Sequence, residues 1–151
     1  MVSGNRQRVR FDFEGSLALA RRLWALADEL ESARTRRAAD ADAARHEWRG
    51  RYADEFNRRM ADEATGFVNV VHGLREEARG WAASWKRAMD EQNRRNRARQ
   101  VDAVRADRGW FERNVADRFT GDHSDDEVPE APEADVPQPP YFTATQREVT
   151  Y

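Results

Sequence analysis

The side chains best equipped for chemistry in this chain are three histidines, several acid pairs and one arginine cluster. A zinc site or a general base on a helix needs imidazoles one turn apart, as in HxxxH or HExxH, with acids at ligand distance. His46, His72 and His123 stand far from one another and in neither frame. The pairs Asp28-Glu29, Asp54-Glu55 and Glu76-Glu77 are adjacent in sequence, so on a helix their carboxylates point in different directions and share no proton. Arginines three or four residues from Asp54-Glu55 and from Glu76 make these solvated faces, and nothing around the pairs suggests a cleft that raises a carboxyl pKa. With no cysteine there is no thiol nucleophile, disulfide or thiolate ligand. Glycines occur singly, without the GxGxxG or P-loop spacing that cradles phosphate. The expectation is a protein with no catalytic residues, no cofactor and no metal.

Arg94, Arg95, Arg97 and Arg99, interleaved with Asn93 and Asn96, could track phosphates by releasing counterions. Asp90, Glu91, Asp102 and Asp107 flank them, no aromatics interleave to stack bases, and the net charge is −2. Nucleic acid is therefore not an expected partner. Acids and bases are unevenly placed. From Thr120 on, Asp122, Asp125, Asp126, Glu127, Glu130, Glu133, Asp135 and Glu148 face one base, Arg147, leaving a net-basic body before an acidic tail. No apolar run is long enough to span a bilayer, and the first 30 residues hold no apolar signal segment, so conventional signal-driven secretion is not expected. Apolar stripes flanked by both signs of charge also differ from the cationic polar face of an interfacial helix.

A chain of 151 residues with 36% charged residues and mean hydropathy −1.01 cannot build a large core and should be elongated. Residues 1–15 form a lead-in, where Val9, Phe11 and Phe13 alternate with polar residues as in an extended segment. Gly15-Ser16 breaks it, with Ser16 placed to cap a helix that runs to about Glu47. Its apolar stripe is Leu19, Leu23, Leu26, Leu30, Ala33, Ala38, Ala41, Ala44 and Trp48. Trp48-Arg49-Gly50 marks the turn. A second long helix carries Tyr52, Phe56, Met60, Phe67, Val70, Leu74, Ala78, Trp81, Trp85 and Ala88, then a solvated extension from Asp90 to Asp107. Gly66, Gly73 and Gly80 recur at seven within it, either as close-packing positions or as tolerated interruptions.

The fold class predicted is all-α: an antiparallel helical hairpin over residues 16–108, with Trp48 and Gly50 at its turn, pairing into a four-helix bundle. Gly109 should end the helix, leaving Trp110, Phe111, Val115 and Phe119 as a short amphipathic element over 109–120. Residues 121–151 combine acids with all five prolines, a composition that reads as disordered or polyproline-like. Tyr141, Phe142 and Tyr151 then stand either as a recognition motif or as a plain chain end. One pair of helices cannot cover its large apolar residues, so Leu23, Leu30, Phe56, Phe67, Leu74, Trp81 and Trp85 are expected to form an association seam. Burying one such aromatic contributes roughly 1.5–3 kcal/mol.

A helix from Ser16 to Glu47, Trp48-Arg49-Gly50 at the turn and an aromatic-bearing second helix together resemble the WXG family over roughly residues 9 to 100. These are the small helical-hairpin proteins of type VII (ESX-type) secretion in Gram-positive, especially actinobacterial, species. The resemblance implies a dimer with itself or with a related hairpin protein, and a type VII secretion ATPase or a toxin as further partners. It places the chain in the cytoplasm, or outside the cell by type VII export without a conventional signal peptide. Family members often carry Tyr-x-x-x-Asp/Glu after the second helix, and here the pattern is missing: Tyr52 leads to Phe56, Tyr141 to Thr145, Trp81 to Trp85 and Trp110 to Asn114. The resemblance then implies that a partner supplies the export signal, or that the chain is a cytosolic adaptor. A cytosolic coiled-coil scaffold unrelated to secretion would use the same seam, and a neighbouring translocation-ATPase or toxin gene is what separates the two.

Overall fold

In the computed structural model, residues 8–115 and 130–144 are described, with side chains over 8–106 and 130–144. They form two helices, α1 (Phe13–Glu47) and α2 (Arg51–Val115), and no strand among the described residues. The chain divides into two compact units. One comprises Asp12–Trp85 with Val136–Ala144; the other takes the described parts of Met1–Phe11 and Lys86–Asp135.

The first unit is an antiparallel hairpin. Its start lies three residues before the expected cap at Ser16: Asp12 caps α1, its carboxylate accepting from the Gly15 N–H at 2.8 Å and its carbonyl from the Ser16 N–H at 3.0 Å. A carboxylate satisfies orphan N–H groups and also meets the positive end of the helix dipole. Gly15 suits this arrangement, since a Cβ there would collide with the Asp12 carboxylate. Phe13, expected in the extended lead-in, is instead the first helical residue, its ring edge-on to Trp85 with centroids 6.5 Å apart.

α1 ends where Trp48 turns extended, and Gly50 follows at φ +90°. The Gly50 carbonyl accepts from the Ala53 and Asp54 N–H groups at 2.9 and 3.3 Å, so this residue opens α2. No atom lies within 4 Å of a Cβ built on Gly50, which isolates the backbone as the reason for glycine. Gly50→Val should therefore destabilise the hairpin by about 1–2 kcal/mol, the cost of a left-handed backbone with a side chain. Urea denaturation measures it; an unchanged midpoint would make Gly50 incidental.

Cross-helix pairs establish the antiparallel register. Arg45 meets Asn57, Arg37 meets Glu63, Arg75 meets Glu31 and Asp28, and Phe13 meets Trp85, so positions climb on one helix as they fall on the other. Leu17, Ala20, Ala27 and Ala41 of α1 are buried, as are Val71, Ala78, Ala82 and Trp85 of α2, at heptad-like spacings. The stripe expected on α1 differs from the one observed. Ala41 is buried, but Leu19 and Leu26 are 38% and 45% exposed, and Leu23 and Leu30 only half-buried. Alanines on both helices let the backbones approach closely, and that contact turns the leucine run to the flank.

Gly66, Gly73 and Gly80 have open space at every added Cβ, so they are tolerated interruptions rather than close-packing positions within the hairpin. Gly109 does not end α2, which continues to Val115. One helical glycine costs about 1 kcal/mol, too little to stop a long helix. The side chains of Trp110, Phe111 and Val115, and all of Phe119 and Tyr151, lie outside what is described. Residues 130–144 have no helix or strand, as expected of the tail, with a turn at 139–142 closed by the Phe142 N–H donating to the Gln138 carbonyl at 2.9 Å. Burial of Ala134, Pro137 and Phe142, however, pins this segment in a way its composition does not suggest.

Candidate interaction surfaces

Two flanks of the hairpin differ sharply in chemistry. At about 100° per residue, Asp28 lies on one side of the α1 seam and Leu19, Leu23, Leu26 and Leu30 on the other. On α2, Arg75 and Arg79 lie to one side of the seam, and Phe67, Val70, Leu74 and Trp81 to the other. The Arg75 ion pairs with Asp28 at 2.8 Å and Glu31 at 2.7 Å bring the polar flanks together. Arg37 and Glu63, bonded at 2.9 Å, join the helices on the opposite flank. Leucines of α1 and the Phe67-to-Trp81 run of α2 therefore share one face, limited toward the turn by that ion pair.

Five of the seven expected seam residues, Leu23, Leu30, Phe67, Leu74 and Trp81, lie half-buried on this face, together with Leu19, Leu26 and the 53% exposed Val70. Phe56 lies apart at the turn, its ring 5.4 Å from that of Trp48, which is itself half exposed. Trp85 was expected to keep surface for association, but it is only 2% exposed. Its place beside the Ala78 and Ala82 seam, edge-on to Phe13, explains why.

The polar flank centres on Trp24. Arg75 and Arg79 place their guanidinium carbons 5.3 and 5.2 Å from its ring centroid, within cation–π range. Hydrogen bonds to Asp28 and then Glu31 raise the Arg75 pKa, fixing its charge there. Against the same indole lies Phe142, fully buried, with ring centroids 5.8 Å apart at 68°. Arg21 Nη1 donates to the carbonyls of Phe142 and Tyr141 at 3.3 and 3.4 Å. The expected tail aromatics thus divide. Phe142 points in as an anchor, while the side chain of Tyr141 is 76% exposed.

In the second unit, residues 130–135 are tied to α2 by polar groups. Asn93 Nδ2 donates to the Pro132 carbonyl at 2.9 Å, and Asp90 Oδ1 accepts from the Ala134 N–H at 2.8 Å. The other Asp90 oxygen pairs with Lys86 at 2.5 Å, and this bond is the main cause of the raised Lys86 pKa. The Val9 N–H donates to Gln92 Oε1 at 2.9 Å. Burial alone would push the Asp90 carboxyl up, but hydrogen bonds from Lys86 and the Ala134 N–H, with nearby positive charge, hold it below the ordinary 3.8. A depressed carboxyl contributes fully above its unfolded value and loses that contribution as pH falls through the folded one. The Ala134 amide resonance should therefore follow a titration whose midpoint lies below 3.8. In Asp90→Asn that titration should vanish; a wild-type midpoint above 3.8 would contradict the bonding described.

No protein-family model, curated protein or solved structure matches the chain. The arginine cluster is largely occupied by its own helix. Arg94 and Arg95 both pair with Glu91, Arg97 bonds Gln100 and Arg99 bonds Asn96. The Arg94 and then Arg95 bonds lower the Glu91 pKa. His46 and His72 are exposed, and the described residues hold no grouping of three or more metal-ligating side chains. No described helix is long and apolar enough to cross a membrane. Sequence reasoning missed Trp24, although Leu17, Ala20, Trp24 and Ala27 step by three and four just as the leucines do. It also missed Asp90 and Asn93 as anchors, because their partners are backbone groups that carry no residue-type signal.

Proposed function

We propose that this chain is a non-enzymatic, WXG-like hairpin that acts by helix-helix association, as a substrate, dimerisation partner or adaptor of a type VII secretion system. The observation that carries it is the apolar face of Leu19, Leu23, Leu26 and Leu30 beside Phe67, Val70, Leu74 and Trp81, on a hairpin whose turn is Trp48-Arg49-Gly50. Leu19, Leu26 and Val70 are exposed on this face and the other five half-buried, an apolar surface of the kind that marks an interaction site. A second hairpin laid across it makes a four-helix bundle with helices crossing at about 20°. The partner is a second copy or a related Trp-x-Gly hairpin protein; a secretion ATPase or a toxin would then engage the assembled bundle. On this reading the chain is cytoplasmic until exported with its partner, which supplies the Tyr-x-x-x-Asp/Glu signal this sequence lacks.

Light scattering at tens of micromolar, on the protein alone and co-expressed with the products of neighbouring genes, tests the association. A mass of twice the monomer, or a one-to-one complex, is expected. A strict monomer in every combination would overturn the proposal. Export is tested separately, by comparing culture filtrates of hosts with and without a working type VII ATPase.

A further inference from the structure

The Trp24 flank of the hairpin is already occupied by a peptide, and that peptide is the chain's own. Phe142 is fully buried against the Trp24 indole, Pro137 is buried, and Arg21 donates to two consecutive carbonyls of the turn. Phe142 also holds φ +42°, a left-handed conformation that a bulky side chain adopts only where its surroundings impose it. The receiving surface is built from side chains that hold one another. Arg75 and Arg79 lie over the indole, and Arg75 is itself fixed by Asp28 and Glu31.

We propose that this flank is a recognition groove for a proline-aromatic peptide, with residues 136–144 as a resident ligand that keeps it closed. Each element of such recognition is present. An aromatic ring enters beside Trp24, a guanidinium reads backbone carbonyls irrespective of side chain, and prolines limit the entropy lost on docking. The partner is accordingly a segment that forms a Pro-Pro-x-Phe turn, as residues 139–142 do, with the Phe as the anchored ring. A tethered ligand competes at an effective concentration of about millimolar, so an outside segment gains access only when the tail lets go. The groove is independent of the association face, which lies on the other flank.

The test uses the full-length protein and a synthetic peptide covering residues 136–144, followed at the Trp24 indole N–H resonance, assigned with Trp24→Phe. Phe142→Ala should leave helix content unchanged and shift that resonance. Peptide at about 0.1–1 mM should then return it toward the wild-type position, while wild-type protein responds at least about tenfold more weakly, as expected of millimolar internal competition. A peptide with its Phe replaced by Ala should do nothing. Pro137→Asp, which releases the segment without altering the groove, serves as a second protein for the same titration. The proposal is overturned if both variants leave the indole resonance where wild type has it, if peptide fails to move it in either variant, or if wild type responds equally.

Discussion

Trp85→Ala is expected to destabilise the hairpin by about 3–5 kcal/mol. Trp85 is 2% exposed, its edge-on partner is Phe13, and Ala78 and Ala82 beside it on the seam are fully buried. Alanines cannot extend into the space an indole leaves, so the cavity persists and its cost adds to the lost transfer free energy. Against a typical total stability of about 5–15 kcal/mol, that is enough to shift the urea midpoint far down or to leave the hairpin partly unfolded. Trp85→Phe, which keeps an aromatic edge toward Phe13, should retain much of the difference. A loss below about 1 kcal/mol for Trp85→Ala would mean that the site collapses freely, contrary to the close alanine seam described.

The second large effect concerns association and leaves the monomer alone. Leu26 and Val70 are 45% and 53% exposed, on the same apolar face but on different helices. Changing both to Asp removes two side chains whose burial contributes roughly 1.5–3 kcal/mol each, and sets charges inside the interface. With about 1.4 kcal/mol per tenfold, association should weaken at least about 100-fold while helix content is preserved. Light scattering across a dilution series reads the first and circular dichroism the second. Unchanged self-association or partner binding in this variant would remove the face from the proposed function.

Much of the hairpin is legible in the sequence because turn chemistry and helical periodicity are local. Gly50 stands between two periodic runs, where the turn was expected, and it takes the positive φ that glycine adopts most readily. Choosing between stripes is harder. α1 carries two runs with nearly the same spacing, Leu19-Leu23-Leu26-Leu30 and Leu17-Ala20-Trp24-Ala27. Hydrophobicity favours the first, whereas close approach to the alanines of α2 selects the second, and that preference exists only once two helices meet. The N-terminus illustrates the same limit, since Ser16 and Asp12 are both good caps until Phe13 finds Trp85. Least legible was the tail. Acids and prolines describe an average chain, and nothing local reveals that Phe142 has a place beside an indole on α1 or that Arg21 holds its carbonyl 121 positions away.

The alanine seam has one more consequence. Small side chains interlock poorly, so a contact built on Ala20, Ala27, Ala78 and Ala82 would tolerate a slip of one helix along the other better than a jigsaw of large residues. What opposes slippage is the ladder of polar rungs: Arg45 with Asn57, Arg37 with Glu63, and Arg75 with Asp28 and Glu31. Each exposed rung contributes little to stability, yet each is satisfied at one offset only. The alanines determine that the helices meet, and the charges determine at which notch they stop, so apart from Trp85 against Phe13 at one end, alignment in this hairpin is encoded on its surface.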